Sequence, residues 1–154
     1  MLRRFLILAA AVVAASAQKY DGPVPPKPDL PYLKHASNLV PTEAVEAQEE
    51  KKKDDVTYVV PGAASSARTP LASPIFLLKS DKINPDRLGL YRLDVRNGRR
   101  EITLGPRKQA KPIRIEVTRL ASGLYRIEVG ESLDPGEYSL SPEGSNQTFC
   151  FQVF

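Results

Sequence analysis

Apolar and polar residues alternate along much of the chain after residue 55. Ile113–Val117 has isoleucine or valine at every second position with charged residues between, and Tyr125–Val129 repeats the pattern. A period of two is typical of strands that bury one face. Ile75–Lys79 (IFLLK) is apolar at successive positions, which predicts a central strand buried on both faces. Val56–Val60 (VTYVV) and Thr148–Phe154 are β-branched or aromatic and predict two more strands.

The segment Leu88–Leu104 predicts a β-hairpin. Alternating residues lead into Asn97 and Gly98, the dipeptide favoured in a two-residue type I′ turn. The register expected from this turn pairs Leu93 with Ile102, Tyr91 with Leu104, and Asp94 with Glu101. The repulsion between Asp94 and Glu101 would be offset by an attractive diagonal contact between Asp94 and Arg99.

Turn residues separate these runs at a spacing typical of a two-sheet sandwich. Roughly seven or eight strands follow one another at about 8 to 12 residues per strand and turn. We therefore predict an all-β fold, an antiparallel β-sandwich spanning residues 56–154. The aromatic last strand either fills the core or forms a sheet edge, and alternating apolar runs are more often core.

One motif, L-x-P-G-x-Y-x-L, predicts a corner between two sheets. It resembles the tyrosine corner of immunoglobulin-like and fibronectin type III-like domains. The resemblance implies an immunoglobulin-like β-sandwich in which the tyrosine hydroxyl bonds to backbone a few residues upstream. The chain departs from antibody-type domains because it has no tryptophan and has leucine at the position of their second cysteine. The motif residues are Leu133, Pro135, Gly136, Tyr138 and Leu140.

Residues 1–17 have the pattern of a secretory signal peptide. A basic start, Arg3 and Arg4, precedes an apolar run and the small residues that end at Ala17. The uncharged run is shorter than the roughly 20 residues of a membrane span, so we expect no stable membrane insertion. We expect cleavage before Gln18 and a periplasmic or extracellular protein. The whole chain also resembles exported bacterial proteins, a resemblance that implies no mechanism.

Residues 18–55 are expected to precede the sandwich as a separate segment. Five prolines in Gln18–Pro31 favour an extended tether, or a strap lying on the surface. Beyond it, two structures remain open. Thr42 could cap a short charged helix. Alternatively, Val45–Glu49 could pair with Val56–Val60 as a hairpin around a charged turn.

Charge is distributed unevenly along the chain. The formal net charge is +4, which becomes +2 when the two arginines of the signal peptide are removed. Basic residues cluster along the hairpin and the loop after it, where they would attract phosphate, an acidic glycan or an acidic protein. The candidate anion-binding residues are Arg99, Arg100, Arg107, Lys108, Lys111 and Arg114.

Nothing in the sequence forms a catalytic, cofactor or metal motif. Cys150 is the only cysteine and lies between two phenylalanines, so we expect a buried structural thiol, with an intermolecular disulfide as the alternative. His35 is the only histidine, whereas a metal site needs several converging ligands. We therefore expect no enzyme, no cofactor and no metal.

Three functions remain open at this point. The first is a non-catalytic exported module that contacts an envelope or extracellular protein through a sheet edge or loops. The alternative is an anion-binding module that uses the basic hairpin and loop at residues 99–114. An enzyme comes third. Nucleic acid is not expected as a partner, since aromatic residues are not interleaved with the basic ones.

Overall fold

The computed structural model describes residues 19–154. The predicted signal peptide and Gln18 lie outside these residues. The described chain forms thirteen β-strands and one short 3₁₀ helix, η1 (Pro85–Arg87). The strands are β1 (Tyr32–His35), β2 (Asn38–Pro41), β3 (Glu43–Glu46), β4 (Gln48–Lys52), β5 (Asp55–Pro61), β6 (Arg68–Thr69), β7 (Ile75–Lys79), β8 (Leu88–Arg96), β9 (Arg99–Leu104), β10 (Ile115–Ala121), β11 (Leu124–Val129), β12 (Gly136–Pro142) and β13 (Gln147–Val153).

The strands form two sheets, which confirms the all-β, sandwich-like prediction. The smaller sheet has five strands in the order β10-β11-β7-β1-β2. The larger has eight, in the order β3-β13-β12-β8-β9-β5-β4 with β6 beside β13. Neighbouring strands are antiparallel except for β6, which runs parallel to β13.

The main core lies between the two sheets. Phe76 of β7 and Phe151 of β13 are fully buried and meet edge to face, with ring centroids 5.0 Å apart. The strand β7 lies between β11 and β1, which confirms the prediction of a central strand. The last strand lies between β3 and β12, so its aromatic residues fill the core and form no edge. Other core residues are Leu33, Leu78, Leu90, Ile127, Leu140 and Phe149.

The chain has more strands than the roughly seven or eight that we expected. Four of the additional strands, β1 to β4, lie upstream of residue 56 and extend both sheets: β1 pairs with β7, and β3 pairs with β13. Another, β6, has only two residues. The sequence of β4, QEEKK, is exposed at every position, so no apolar alternation marks it.

The charged segment before β5 is a hairpin. The helix alternative is wrong, because Thr42 is buried and donates its hydroxyl to Pro31 O at 2.7 Å instead of capping a helix. The strands β4 and β5 pair from Gln48 opposite Val59 to Lys52 opposite Asp55. The hairpin alternative is thus confirmed, with its strands a few residues closer to the turn than expected.

The tip of the hairpin β8–β9 forms as predicted. Asn97 and Gly98 have φ values of 52° and 73°, as a type I′ turn requires. Asp94 lies opposite Glu101. The predicted diagonal contact between Arg99 and Asp94 is wrong, however, because Arg99 Nε binds Glu101 Oε2 at 2.8 Å instead.

Below the tip, the predicted pairs are wrong because β8 separates from β9. Leu93 lies opposite Glu137 of β12, and Tyr91 lies opposite Ser139. Leu88–Leu93 of this strand therefore pair with β12, and only Asp94–Arg96 pair with β9. Periodicity predicted which side chains share a face, but it could not predict a change of neighbour within one strand.

Residues 19–31 form a strap on the five-stranded sheet. Tyr20 and Pro23 border a cavity together with Leu77 and Arg126 of that sheet. Pro25 is fully buried. Of the two expected alternatives for the proline-rich segment, the surface strap is the one observed for the described residues.

Candidate functional site

The eight-stranded sheet closes on itself. The strands β3 and β4 stand at opposite ends of its order, yet only Ala47 separates them in the chain. Ala47 donates its N–H to Asn146 O at 2.7 Å, which continues the pairing of β3 with β13. Residues 43–52 thus pair with β13 at their start and with β5 at their end. We call the resulting closed arrangement of β3/β4, β13, β12, β8, β9 and β5 the strand ring.

Side chains that point into the strand ring form a second core. In β12, Tyr138 and Leu140 face the five-stranded sheet, whereas Glu137 and Ser139 face the ring interior because side chains alternate between the faces of a strand. Both faces of β12 and β13 are therefore buried. The ring core consists of Ala47, Val60, Leu93 and Cys150, with Val45, Tyr58 and Ile102 packed against it.

One end of the strand ring is closed by a buried arginine. Arg100 of β9 is 1% exposed. Its Nη2 lies 2.6 Å from Glu43 Oε1, and its Nη1 lies 3.9 Å from Glu137 Oε1. Nε and Nη2 also donate to Gly62 O at 2.9 Å and Pro61 O at 2.7 Å. The guanidinium is fully engaged, as a buried charge must be.

The two carboxylates around Arg100 have pKa values shifted in opposite directions. Burial acts to raise the pKa of Glu43, but hydrogen bonds from Arg100 and from Ser66 N–H outweigh it and hold that pKa below its usual range. Burial dominates at Glu137, so its pKa is raised although Ser65 N–H donates to it at 2.6 Å. Glu43 is accordingly the principal counter-ion of Arg100.

The other end of the strand ring is open and leads into a cavity of about 400 Å³, which we call the mouth pocket. Small residues face inward here, including Ala47, Gly89 and Ser139. A Cβ on Gly89 would lie 2.7 Å from Tyr91 Cε2, so the tyrosine ring lies directly over the glycine. Side chains usually fill the interior of small closed sheets, and the small residues explain why this end is not filled.

The mouth pocket has one apolar wall and one wall rich in hydroxyl groups. Tyr58, Ile102 and Leu104 of β5 and β9 form the apolar wall and are only half-buried. The opposite wall, from β12 and β13, includes Ser139, Ser141 and Thr148. Other lining residues are Val60, Asp86, Arg87, Leu88, Tyr91, Leu93, Ala110, Pro112, Pro142, Glu143, Gly144, Ser145 and Asn146.

The hydroxyl groups of that wall already have partners. The Ser139 and Ser141 hydroxyls bond to each other, and Thr148 Oγ1 donates to Val45 O at 2.8 Å. Among the described residues, the only buried side-chain nitrogen or oxygen without a hydrogen bond is Arg126 Nε, which lies beneath the strap and is 2.8 Å from Glu128 Oε1. The buried part of the mouth pocket therefore contains no unsatisfied polar side chain that would require a polar ligand.

The structure separates the six candidate anion-binding residues into two groups. Arg100 is buried in the strand ring, so it contacts no external anion. Arg99 is half-buried and binds Glu50 at 2.8 Å as well as Glu101. Both residues lie in β9, where β-strand alternation and neighbouring acids determine their environment, and the sequence order of basic residues did not reveal those partners.

The remaining four candidates lie together on one exposed loop. Residues 105–114, which we call the basic loop, connect β9 to β10, and Arg107, Lys108, Lys111 and Arg114 are all exposed on it. Within residues 19–154 these four side chains have no ion pair or hydrogen bond. Two other residues of this loop, Ala110 and Pro112, line the mouth pocket, so the basic loop adjoins its opening.

The corner residues adopt the arrangement that the resemblance implied. Tyr138 is 2% exposed, and its hydroxyl donates to Asp134 O at 2.6 Å, four residues upstream. Leu133 is buried, and its N–H donates to Ala72 O at 2.7 Å. A Cβ on Gly136 would lie 2.9 Å from Arg92 Nη2, at the flexible end of that side chain. The carbonyl oxygen of Pro135 accepts a hydrogen bond from Arg92 Nη2 at 3.2 Å. These residues hold the corner.

The two single residues with reactive side chains have structural environments. Cys150 is fully buried in the ring core, and burial raises the pKa of its thiol. His35 Nε2 lies 2.9 Å from the hydroxyl of the buried Thr69, which links β1 to β6. Neither has the neighbours of a nucleophile or a metal ligand.

In residues 19–154 no group of three or more histidine, cysteine, aspartate or glutamate side chains lies close enough to hold a metal ion. No helix in this part of the chain has the length and hydrophobicity needed to cross a membrane.

Sequence reasoning missed the mouth pocket. The inward positions Gly89, Ser139 and Ser141 look like ordinary polar or turn positions, because their apolar neighbours Leu88, Leu90 and Leu140 carry the visible pattern. One signal was present: Tyr58, Ile102 and Leu104 alternate on one face of β5 and β9. That pattern predicted a core but not a cavity.

No protein-family model, curated protein or solved structure gives a significant match to this chain.

Proposed function

We propose that this protein is an exported, non-catalytic binding module that holds another envelope or extracellular protein through the basic loop and the outer edge of β10. The observation that carries the proposal is the continuity of these two features. The basic loop leads directly into β10, which is an edge strand of the five-stranded sheet.

The backbone of β10 offers unpaired groups to a partner. Gly130 N donates to Arg114 O at 2.8 Å, so the backbone groups of Arg114 point towards β11. Alternate residues of an antiparallel strand point their backbone groups to the same side. The backbone N–H and C=O groups of Glu116 and Thr118 therefore also point towards β11. Those of Val117 and Arg119 point to the opposite side, where no described strand pairs with them.

The charge of the neighbouring loop favours an acidic partner. An extended segment can add to a sheet edge through main-chain hydrogen bonds, and side-chain contacts then supply specificity. Acidic residues at one end of such a segment would meet the four unpaired cations of the basic loop. Opposite charges would also increase the association rate.

The second candidate is an anion-binding module for phosphate or an acidic glycan. It is favoured by the same four cations, which lack ion-pair partners among the described residues. It does not need the edge of β10. The two candidates therefore differ in whether the backbone of that strand becomes protected on binding.

Site-specific photo-crosslinking in the producing cell tests the first proposal. A photoreactive residue at Arg119, whose backbone groups point away from β11 and whose side chain is exposed, is expected to yield one recurring protein adduct. The same residue at Lys51, on the exposed hairpin β4–β5, is the matched control and is expected to yield none. Absence of an adduct at Arg119, or identical adducts at both positions, would contradict the proposal.

Charge variants separate the two candidates. Replacing Arg107, Lys108, Lys111 and Arg114 with glutamine should abolish the Arg119 adduct, and replacing Lys51, Lys52 and Lys53 should not. A wild-type protein that is retained on a polyanion column but gives no adduct would support the anion-binding module instead. The melting temperature of both variants should stay close to that of the wild type, because these side chains are exposed.

The proposal also covers export and the immunoglobulin-like or fibronectin type III-like architecture. Support comes from the pattern of residues 1–17 and from the tyrosine corner, respectively. Purification from the medium or periplasm of the native host, followed by N-terminal sequencing, should give a chain that begins at Gln18. A full-length chain retained in the cytoplasm would contradict the proposed location.

A further inference from the structure

We propose that the mouth pocket binds a free fatty acid of medium chain length, with the hydrocarbon chain inside the strand ring and the carboxylate at the basic rim. This site shares the basic loop with the proposed partner surface but does not include the outer edge of β10, and the inference does not depend on a protein partner.

The size and position of the cavity suit a small ligand. Its volume of about 400 Å³ falls at the lower end of the range, roughly 300–1,000 Å³, that small-molecule sites occupy. Arg100 and its two carboxylates close the far end of the ring. A ligand can therefore enter only from the mouth, and it meets a blind end of limited depth.

The interior favours hydrocarbon over a polar ligand. Tyr58, Ile102 and Leu104 are half-buried and line the pocket, so apolar surface is available for burial. The hydroxyls on the opposite wall bond to each other or to backbone. A polar group placed deep in the pocket would lose its water and meet few free partners, since the Ser139–Ser141 pair leaves only one hydroxyl proton unused.

The rim favours a negative head group. Arg87 lines the pocket, and its only ionic contact among the described residues is Glu143 at 4.0 Å, where both side chains are at least 70% exposed. Exposed pairs of this kind contribute little, so a carboxylate can replace Glu143 at low cost. The neighbouring basic loop adds Arg107, Lys108 and Lys111 without ionic partners in residues 19–154.

The lining itself contains one base, Arg87, and two acids, Asp86 and Glu143. The further cations come from the basic loop, whose residues Ala110 and Pro112 line the pocket on either side of Lys111. Because the lining includes apolar side chains and Arg87 and the basic loop offer cations next to the mouth, a single-chain carboxylate fits both regions.

Calorimetric titration of the full mature chain with laurate, dodecanol and dodecylammonium tests both parts of the inference. Laurate is expected to bind with one-to-one stoichiometry, more tightly than dodecanol, and dodecylammonium most weakly. Shortening laurate to decanoate should weaken binding about fifteenfold, since each buried CH₂ contributes about a fourfold factor in affinity. Equal binding of all three head groups would overturn the carboxylate assignment.

Two variants with matched controls locate the site. Ser141→Phe fills the mouth and should reduce laurate affinity at least tenfold, whereas Thr118→Phe, which adds the same ring to an exposed position on β10, should have no effect. Lys108→Glu with Lys111→Glu should remove the preference for laurate over dodecanol. Lys51→Glu with Lys52→Glu should retain it.

Photolabelling keeps the inference testable if Ser141→Phe does not fold. A diazirine analogue of laurate, activated on the wild-type protein, should label peptides that contain Tyr58 or Leu104. Labelling confined to other peptides, or no saturable binding, would overturn the proposal. Liposomes of phosphatidylglycerol that bind the protein while free laurate does not would also overturn it, because the ligand would then be a membrane surface.

Discussion

At the scale of single residues, Tyr138 shows how one side chain can connect a corner to the core. Its ring stacks on Phe151 with centroids 5.6 Å apart. Its hydroxyl donates to Asp134 O and accepts from Arg92 Nη1 at 3.1 Å. Burial raises the pKa of this phenol, so it remains a hydrogen-bond donor at neutral pH.

Tyr138→Phe should lower the free energy of unfolding by about 1 kcal/mol, because it removes a buried hydrogen bond and leaves the Asp134 carbonyl unpaired. Urea denaturation monitored by circular dichroism would measure the change. Tyr125→Phe is the control, since the half-buried Tyr125 hydroxyl has no hydrogen bond among the described residues. Equal effects of the two substitutions would argue against the corner bond.

Glu43→Gln should lower the free energy of unfolding by about 3 kcal/mol, because it leaves the buried Arg100 without its closest counter-ion. Glu50→Gln removes an exposed partner of Arg99 and should cost less than about 1 kcal/mol. Denaturant titration of both variants at pH 7 gives the comparison. A cost for Glu43→Gln no greater than that for Glu50→Gln would contradict the assigned role.

The difference between the wild type and Glu43→Gln should depend on pH. The folded-state pKa of Glu43 is lowered, so its stabilisation is present above the unfolded value of 4.5 and is lost as the pH falls through the lowered value. Stability curves of both proteins between pH 7 and pH 3 should therefore converge on the acid side. A difference that grows below pH 4.5 would have the wrong sign.

At the scale of elements, the strap depends on one carboxylate. Asp29 Oδ1 accepts backbone N–H groups from Asp81, Lys82 and Ile83 at 2.9 to 3.0 Å. Burial acts to raise the pKa of Asp29, but these three hydrogen bonds outweigh it and lower the pKa. The segment after β7 and the strap are therefore held together by a charged group that protonation would weaken.

Asp29→Ala should release the strap at neutral pH, since the three backbone groups lose their common acceptor. In wild-type protein the amide resonances of Asp81, Lys82 and Ile83 should titrate together with a midpoint below 3.8, because the stabilisation is lost as the pH falls through the lowered pKa. Nuclear magnetic resonance measures both the release of the strap in the variant and the titration of the three amides in the wild type. Asp21→Ala serves as the control, and a midpoint at or above 3.8 would contradict the contact.

At the scale of the whole molecule, the sandwich and the strand ring share strands. Both β12 and β13 contribute one face to the core between the sheets and the other to the ring core. Cys150 lies on the ring side, between the core phenylalanines of its own strand. Opening either core would expose both, so we expect the two to unfold in one transition.

The thiol of Cys150 should be unreactive towards iodoacetamide at pH 8 in native buffer, because it is fully buried and burial raises its pKa. Labelling should begin only at urea concentrations that unfold the protein. In Ser73→Cys, the new exposed thiol should react at once and Cys150 should not. Stoichiometric labelling of the native wild type, or an intermolecular disulfide through this residue, would contradict the burial.

Local patterns were sufficient for the elements that are regular and half-buried. The type I′ turn at Asn97 and Gly98 follows from two residues that tolerate positive φ, and the burial of Phe76 and Phe151 follows from apolar runs. The strand β4 escaped prediction because it is exposed on both faces and owes its conformation to pairing with β5. Arg100 was wrongly predicted to bind an external anion, because an arginine in a β-strand is usually exposed to solvent. Its burial depends on Glu43, which is distant in sequence and neutralises its charge.

The sequence by itself determined the strand-forming segments, the tight turns and the tyrosine corner, because each depends on interactions among residues close together in the chain. Only the tertiary structure decided that β8 changes partners, that Ala47 closes the strand ring and that small inward side chains leave the mouth pocket open. Those outcomes depend on contacts between residues far apart in sequence. Many different pairings are compatible with the same alternation of apolar and polar residues, and packing of the whole chain selects one of them.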